Sequence, residues 1–462
     1  MDKIFSESEY ELLLSKLFVR FPSFQKVGAG AYKPGIANME FFDQLAGHPH
    51  KSYRIIHVAG TNGKGSVSNM LASALASQGL KVGLYTSPHI LDFRERIRMV
   101  SYQPGQSEET FSLIPKEYVW DFVNQWQETF DHLDMSFFEI TTSIALSWFA
   151  HVNADVVVLE TGLGGRLDST NIVTPVLSVI TNIGLDHCDM LGETLPEIAF
   201  EKAGIIKPKV PVVIGESHPE TDTVFERKVL YTNLSEPEFM GSRTAIMSLL
   251  TFADKIEPSS WNRHEEILFA MDLKGEYQRK NLRTVLAALD VISPGADPLE
   301  AIIHTAERTG FRGRWDRICD DPYVICDIGH NEHGLRHNFA QLERMLAEGT
   351  CTDLIMVYGS VADKDVDAVL HLMPENATYI FTQAHGKRAL AADSVRERYL
   401  AFCAEAGRKT ENVHCCGTVI EAMDHAFKLA VSMKEADGNA CPLIYVGGST
   451  YVVSEAVAAM NG

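Results

Sequence analysis

Apolar positions along the chain fall into a repeating strand–helix order. Ile55-Ile56-His57-Val58-Ala59 is a short apolar run that reads as a buried strand. Val67, Met70, Leu71, Ala74 and Leu75 then recur at i, i+3, i+4, i+7 and i+8, the spacing of one apolar helix face. Gly79 stands where that helix would end, and Lys81-Val82-Gly83-Leu84-Tyr85-Thr86 reads as a second strand. Further runs at residues 155–159, 176–181 and 210–214 are continuous and rich in β-branched residues rather than alternating. Strands covered on both faces read this way, so the pattern predicts an α/β domain with a mainly parallel sheet. Between residues 219 and 274 the rhythm is lost, which predicts irregular or locally antiparallel structure, and a helix resumes over 279–291.

A second rhythm begins further on. Runs at 323–326, 354–358, 379–382 and 443–446 read as strands with helices between them. Thr309-Gly310-Phe311-Arg312-Gly313-Arg314 carries two glycines and reads as a hinge. The expected organisation is therefore a P-loop-containing, mainly parallel-sheet ATPase domain over residues 1–309, followed by a smaller Rossmann-like α/β domain over 310–462. No internal repeat and no low-complexity segment interrupts this order.

The junction between the first strand and the first helix is Gly60-Thr61-Asn62-Gly63-Lys64-Gly65-Ser66. Strand, glycine loop, helix and strand follow in the order a nucleotide-binding unit requires. Glycines let backbone N–H groups close around phosphate oxygens, and the helix N-terminus adds partial positive charge. Lys64 can reach the outer phosphates, and Ser66 can ligate Mg²⁺. The spacing differs from the common phosphate loop: two residues separate Gly60 from Gly63, and Gly65 intervenes between Lys64 and Ser66. The alternative is a tight turn that happens to contain a lysine.

Composition narrows the partners. With 45% hydrophobic and 22% charged residues, the 462-residue chain has the make-up of a soluble globular enzyme of two or three domains. Its formal charge of −20 argues against nucleic acid or an anionic membrane as partner. Phosphate binding then demands local cations, for which Lys64, Arg94, Arg96, Arg98, Arg166, Arg312 and Arg314 are candidates. The N-terminus is acidic and polar, unlike a secretory signal, and no apolar stretch is long enough to span a bilayer. Eight scattered cysteines fit neither a zinc site nor a disulfide framework, so reduced thiols and a cytoplasmic location are expected.

Polar residues gather just beyond the strands, where open α/β sheets bind ligands. Glu160 ends one strand and precedes Thr161-Gly162-Leu163-Gly164-Gly165-Arg166; it could hold a metal or position water, or simply cap a helix. His187, in Gly184-Leu185-Asp186-His187, invites a metal-ligand reading against a merely structural one. Lys202 reads by default as a helix cation paired with a nearby acid. In the second half, Asp327-Ile328-Gly329-His330-Asn331 and Gly447-Gly448-Ser449 follow strands in the same manner. Two such domains predict a cleft between them, suited to joining two substrates around ATP.

The ordered set of motifs resembles the folylpolyglutamate synthase/dihydrofolate synthase family, within the Mur-type ATP-dependent amide ligases. It runs from His57-Val58-Ala59 and the loop through Thr86-Ser87-Pro88-His89, Glu95-Arg96-Ile97-Arg98 and Glu160 to Asp168. It continues through Gly184 to His187, Glu201-Lys202-Ala203-Gly204-Ile205, Gly313-Arg314, Asp327 to Asn331 and Asp363-Lys364-Asp365. The resemblance implies that Gly60, Thr61, Asn62, Gly63, Lys64 and Gly65 hold ATP. Ser66, Ser87, Glu160 and His187 would supply or approach two Mg²⁺ sites. Lys202 matches a lysine that the family often carries as a carbamate. Asn281, Arg314 and Asp327 match positions that contact ATP, and His330 and Ser449 match positions near the incoming glutamate. Ser87, Pro88, His89 and Phe138 match elements on the pterin or folate side. A monomer acting on dihydropteroate or a reduced folate, L-glutamate and ATP is the expectation.

Two departures accompany the match. Tyr277 stands where the family commonly has His, and Pro34-Gly35-Ile36-Ala37-Asn38-Met39-Glu40 only loosely follows the family's stretch. Rival readings are a Mur-type ligase acting on a cell-wall precursor, a P-loop phosphotransferase or NTPase switch, and a non-catalytic binding protein. Whether dihydrofolate synthesis, tail extension or both is performed stays open from sequence.

Overall fold

The computed structural model describes residues 5–20, 33, 35–102, 110–261 and 263–461. Residues 1–4 of the acidic N-terminal stretch and Pro34 lie outside the described residues. The chain separates into two compact units. The first comprises Met1–Asp272 and Gln278–Phe311, and the second Leu273–Tyr277 and Arg312–Gly462.

The first unit is built on eight strands: β1 (Arg54–Ala59), β2 (Val82–Tyr85), β3 (Ile97–Val100), β4 (Phe111–Leu113), β5 (Val156–Glu160), β6 (Leu177–Ile180), β7 (Val212–Ile214) and β8 (Leu250–Phe252). Their order across the sheet is β4-β3-β2-β5-β1-β6-β7-β8. Pairings from β2 through β5, β1, β6 and β7 to β8 are parallel, and β3 alone is reversed, pairing antiparallel with both β2 and β4. Every residue of β5 is buried, as the unbroken apolar run requires of a strand covered on both faces.

The helix Lys64–Ala76 lies at the centre of this unit, and all of its residues after Lys64 are buried. The apolar stripe read from sequence is thus only one of its covered faces. Gly65, Ser66, Ser68, Ala72, Ser73, Ala74 and Ala76 are small enough to admit close neighbours on the other sides. Ser73 Oγ, for example, donates to the Ala301 carbonyl at 2.6 Å. Burying Val67, Met70 and Leu71 contributes about 1.5–3 kcal/mol each.

The expectation of irregular or antiparallel structure over residues 219–274 is corrected. That segment forms the helices Asp222–Asn233, Arg243–Met247 and His264–Ala270, and β8 adds to the sheet in parallel with β7. Phe225 and Val229, one turn apart, bury the first of these helices. The strand has only three residues, too few for its periodicity to be read.

The second unit carries β9 (Asp316–Cys319), β10 (Tyr323–Cys326), β11 (Asp353–Tyr358), β12 (Thr378–Phe381), β13 (Val413–Cys415) and β14 (Pro442–Gly447), in the order β13-β12-β11-β14-β10-β9. Only β9 is antiparallel. The short edge strands β9 and β13 escape the sequence pattern because they are only partly buried. All eight cysteines carry free thiols. Among the described residues no helix is long and apolar enough to cross a membrane.

Gly83 sits in β2 because a neighbour needs its missing side chain: a Cβ there would lie 2.6 Å from the ring of buried Phe149. Gly83→Ala should destabilise the first unit by about 1–3 kcal/mol. Adding Phe149→Leu should recover part of that loss. Urea unfolding of the two variants checks this; simple additivity of the two changes would refute the packing argument.

Candidate active site

In the first unit the parallel register brings the carboxyl ends of β2, β5, β1 and β6 side by side. The 60–66 loop leaves β1 between the ends of β5 and β6. Gly60 and Gly63 have φ of 149° and 81°, values that suit a residue with no side chain. A Cβ on Gly60 would fall 1.9 Å from Thr181 Oγ1, and one on Gly63 would fall 2.3 Å from Asn281 Oδ1. This closeness lets the segment after β6 pin the loop. Thr61 N donates to the Asn182 carbonyl at 3.0 Å, and Asn62 N to Asn182 Oδ1 at 2.9 Å. Thr181 Oγ1 donates to the Asn62 carbonyl, and Gly184 N donates to Thr61 Oγ1 at 3.0 Å.

Lys64 folds back over the loop, its Nζ donating to the carbonyls of Gly60 at 2.9 Å and Thr61 at 3.2 Å. Lys202 Nζ reaches the same Gly60 carbonyl at 3.0 Å from the end of the helix Leu195–Lys202. It is 3% exposed. Burial, and then the nearby Lys64 charge, push its amine down to about 7, while Asp186 and Asp168 act in the opposite direction. An exposed helix cation is therefore the wrong default for this lysine.

Glu160, the last residue of β5, is buried, and its Oε2 accepts from Ser87 N at 3.3 Å. Ser66 is fully buried, and its Oγ accepts from Gln278 Nε2 at 3.1 Å. Gln278 Oε1 in turn accepts from Asn281 Nδ2 at 2.7 Å. Gln278 and Asn182 are the site residues that sequence reasoning missed. Gln278 opens the helix that carries Asn281, and Asn182 begins the turn leading to His187. His187 has φ of 53°, and its N–H donates to Asp186 Oδ1.

The hydroxyl of Ser66 and the carboxylate of Glu160 are hard oxygen donors, the chemistry that Mg²⁺ prefers when phosphate and water complete its shell. Among the described residues no three His, Cys, Asp or Glu side chains converge on a metal position. The donor set thus fits an ion held in large part by a ligand's phosphates rather than a cage made by the protein.

On the β2 side, Thr86 Oγ1 accepts from buried Arg98 at 2.9 Å, and Arg98 also reaches the Thr309 carbonyl at 2.5 Å. Burial pulls the Arg98 guanidinium down to about 10. The Ser87–Pro88 peptide is cis. His89 Nδ1 accepts from Arg96 Nε at 2.8 Å, which makes its ring neutral. Phe138 lies in the first turn of the helix Phe137–His151, capped by Ser136 and Glu139, and covers Gly162, where a Cβ would meet its ring at 2.5 Å.

The second unit gathers its own polar residues at the ends of β10 and β14. Asp327 Oδ2 accepts from the Tyr277 hydroxyl at 2.7 Å and Trp315 N at 2.9 Å, and Oδ1 accepts from Gly329 N at 2.7 Å. Arg314 Nη1 donates to the Gly313 carbonyl. His330 Nδ1 lies 3.0 Å from the Ile328 carbonyl, so that nitrogen carries the hydrogen. Ser449 accepts from Val452 N and caps the helix Thr450–Asn461.

A family model for the Mur ligase glutamate ligase domain matches residues 313–437. The dihydrofolate synthase/folylpolyglutamate synthase of Bacillus subtilis is 34% identical over 352 residues, covering 72% of this chain and 76% of that protein. A probable bifunctional folylpolyglutamate synthase/dihydropteroate synthase of Haloferax volcanii is 31% identical over 92% of this chain, which spans about half (48%) of that relative's length. Among solved structures, the bifunctional folylpolyglutamate synthase/dihydrofolate synthase of Yersinia pestis, complexed with AMPPNP and a Mn ion, superposes with a TM-score of 0.74 at 25% identity. It covers 98% of both chains.

His57, on β1, is fully buried with Nε2 2.8 Å from Thr170 Oγ1. Burial, and secondarily Lys207, lower it from 6.5 to about 3. The unfolded chain takes up this proton below pH 6.5, whereas the folded chain resists until about 3. The stability held by neutral His57 is thus complete above pH 6.5 and declines as pH falls towards 3, by about 2 kcal/mol at pH 5. Urea unfolding between pH 7 and 5 should show a shallower decline for His57→Gln; equal slopes would count against this assignment.

Proposed function

Because the chain belongs to the dihydrofolate synthase/folylpolyglutamate synthase family, we propose that it uses the 60–66 loop, Glu160 and Lys202 to drive ATP-dependent ligation of L-glutamate to dihydropteroate, to the glutamate tail of reduced folates, or to both. It is an amide-forming ligase with two α/β units. The observation that carries the site assignment is the Gly60 carbonyl, on which Lys64 Nζ and Lys202 Nζ converge at 2.9 and 3.0 Å. Two lysine side chains are thereby focused on a glycine loop that leads directly into the N-terminus of the helix Lys64–Ala76, an arrangement that suits a polyphosphate.

The reaction needs such a site because a carboxylate is a poor electrophile. The folate or pteroate carboxylate first takes the γ-phosphoryl group of ATP, with ADP leaving, to become an acyl phosphate, and the α-amine of glutamate then displaces inorganic phosphate from the acyl carbon and loses a proton. Lys64 would offset charge on the transferring phosphoryl group. Ser66 and Glu160 would hold Mg²⁺, with Ser87 and His187 close by, and the ion would neutralise phosphate charge. A second Mg²⁺ is supported by Lys202, whose lowered basicity leaves much of the amine neutral near pH 7 and able to add CO₂ as a carbamate. Asn281, Arg314 and Asp327 would contact the nucleotide. Ser87, Pro88, His89 and Phe138 would face the pterin or folate. His330 and Ser449 would orient glutamate; the Nδ1–H bond of His330 to Ile328 leaves Nε2 as its accepting nitrogen. The enzyme is expected to act as a cytoplasmic monomer.

Purified protein should release phosphate only when ATP, glutamate and either dihydropteroate or tetrahydrofolate are all present. Failure of every pterin and folate acceptor would sink the proposal, whereas glutamate-independent release would favour a P-loop phosphotransferase. In the same assay Lys64→Ala should lower turnover by at least about 10²–10³-fold while circular dichroism stays native. Near-normal activity in that variant would remove the loop from the reaction.

A further inference from the structure

A buried chain of three side chains runs behind the phosphate loop, and no step of the proposed reaction uses it. Thr170 Oγ1 donates to Asp168 Oδ1 at 2.5 Å. A hydroxyl has one hydrogen, so Thr170 must accept from His57 Nε2, 2.8 Å away, which fixes His57 in its Nε2–H form. Asp168 Oδ1 also accepts from Thr170 N at 3.0 Å, and its Oδ2 accepts from Gly162 N and Leu163 N, each at 2.9 Å. All three side chains are nearly or wholly buried. The donations therefore converge on Asp168, from the strand that leads into the loop through His57 and Thr170 on one side, and from the backbone that follows Glu160 on the other.

The far end of that backbone reaches Lys202. Arg166 N donates to the Glu201 carbonyl at 2.7 Å, and the Arg166 side chain holds the Glu201 carboxylate at 2.8 Å. Gly165 packs so closely that a Cβ would lie 2.9 Å from the Lys202 carbonyl oxygen. Residues 161–166 thus tie Glu160 to Lys202, and Asp168 fixes the first two loop amides after Thr161.

We propose that His57, Thr170 and Asp168 are positioning residues that hold Glu160 and Lys202 in register with the phosphate loop and so set the affinity for a divalent metal–nucleotide complex. This rests on the metal-side reading of Glu160 and Lys202 above. Groups that orient metal ligands through hydrogen bonds commonly govern affinity by about 10–100-fold when lost. A carboxylate held by four donors, with its hydroxyl partner aligned by a neutral imidazole, is built for such orientation.

The test measures Mn²⁺ binding to the full-length protein in the presence of ADP, by electron paramagnetic resonance of free Mn²⁺, so no turnover is needed. Thr170→Val and His57→Leu remove links of the chain; Thr170→Ser and His57→Gln keep a hydroxyl and a side-chain N–H donor, the latter an amide. The first pair should bind Mn²⁺ at least roughly tenfold more weakly than wild type, and the second pair within about twofold. Should Thr170→Val fail to fold by circular dichroism, the His57 pair decides alone. Wild-type affinity in the folded Thr170→Val and His57→Leu proteins would overturn the positioning role, as would equal loss in His57→Gln. If wild type itself retained no Mn²⁺ with ADP, the metal-side reading beneath the proposal would fall instead.

Discussion

The arrangement of the first unit depends on how closely two neighbouring strand ends can approach each other. The backbone after β1 passes so near Thr181 that no side chain fits at Gly60, and it passes equally near Asn281 at Gly63. That approach puts Thr61 and Asn62 within reach of Asn182 and Gly184, and it carries the Gly60 carbonyl to both lysines. A chain with a formal charge of −20 repels anions at long range. Screening confines that repulsion to about 8–10 Å at physiological salt. The Lys64 amine, held against the loop within a few ångströms of its carbonyls, therefore decides the local sign of the potential.

The second unit obeys the same geometry with different contents. Parallel strands send all their carboxyl ends to one edge, so Ser449, after β14, comes to the same edge as Asp327 and His330, after β10. Here the carboxylate is engaged within the unit: Asp327 receives Gly329 from its own loop, and Tyr277 and Trp315 from segments before it. Its first service is to shape the turn that presents His330, and any contact with a ligand is made from that fixed position.

Sequence made the long parallel strands and the phosphate loop plain, because both announce themselves locally, the strands through β-branched runs and the loop through glycine spacing. It also placed Glu160 and His187 just beyond strands, from order alone. What it could not supply were relations across distance. Lys202 reads as an ordinary helix cation until the fold sets it against Gly60, and Gln278 has no local mark at all, since its meaning lies in reaching Ser66. The segment over 219–274 failed for another reason: β8 has only three residues and Arg243–Met247 little more than one turn, while the longer helix Asp222–Asn233 buries only Phe225, Val229 and Asn233, too few apolar positions for a period to emerge.

Leu273–Tyr277 belongs to the second unit, yet the chain returns to the first at Gln278 before it enters the rest of the second at Arg312. During synthesis this five-residue strip emerges well before the sheet it will join. Glu276 and Lys274 find their partner Gln341, and Tyr277 finds Asp327, only after the helix Gln278–Ile292 has been made. The second unit is therefore not a contiguous stretch that could be cut out at residue 312, because excision would strip Asp327 of its tyrosine hydroxyl. Its completion is tied to the unit made before it by chain connectivity alone.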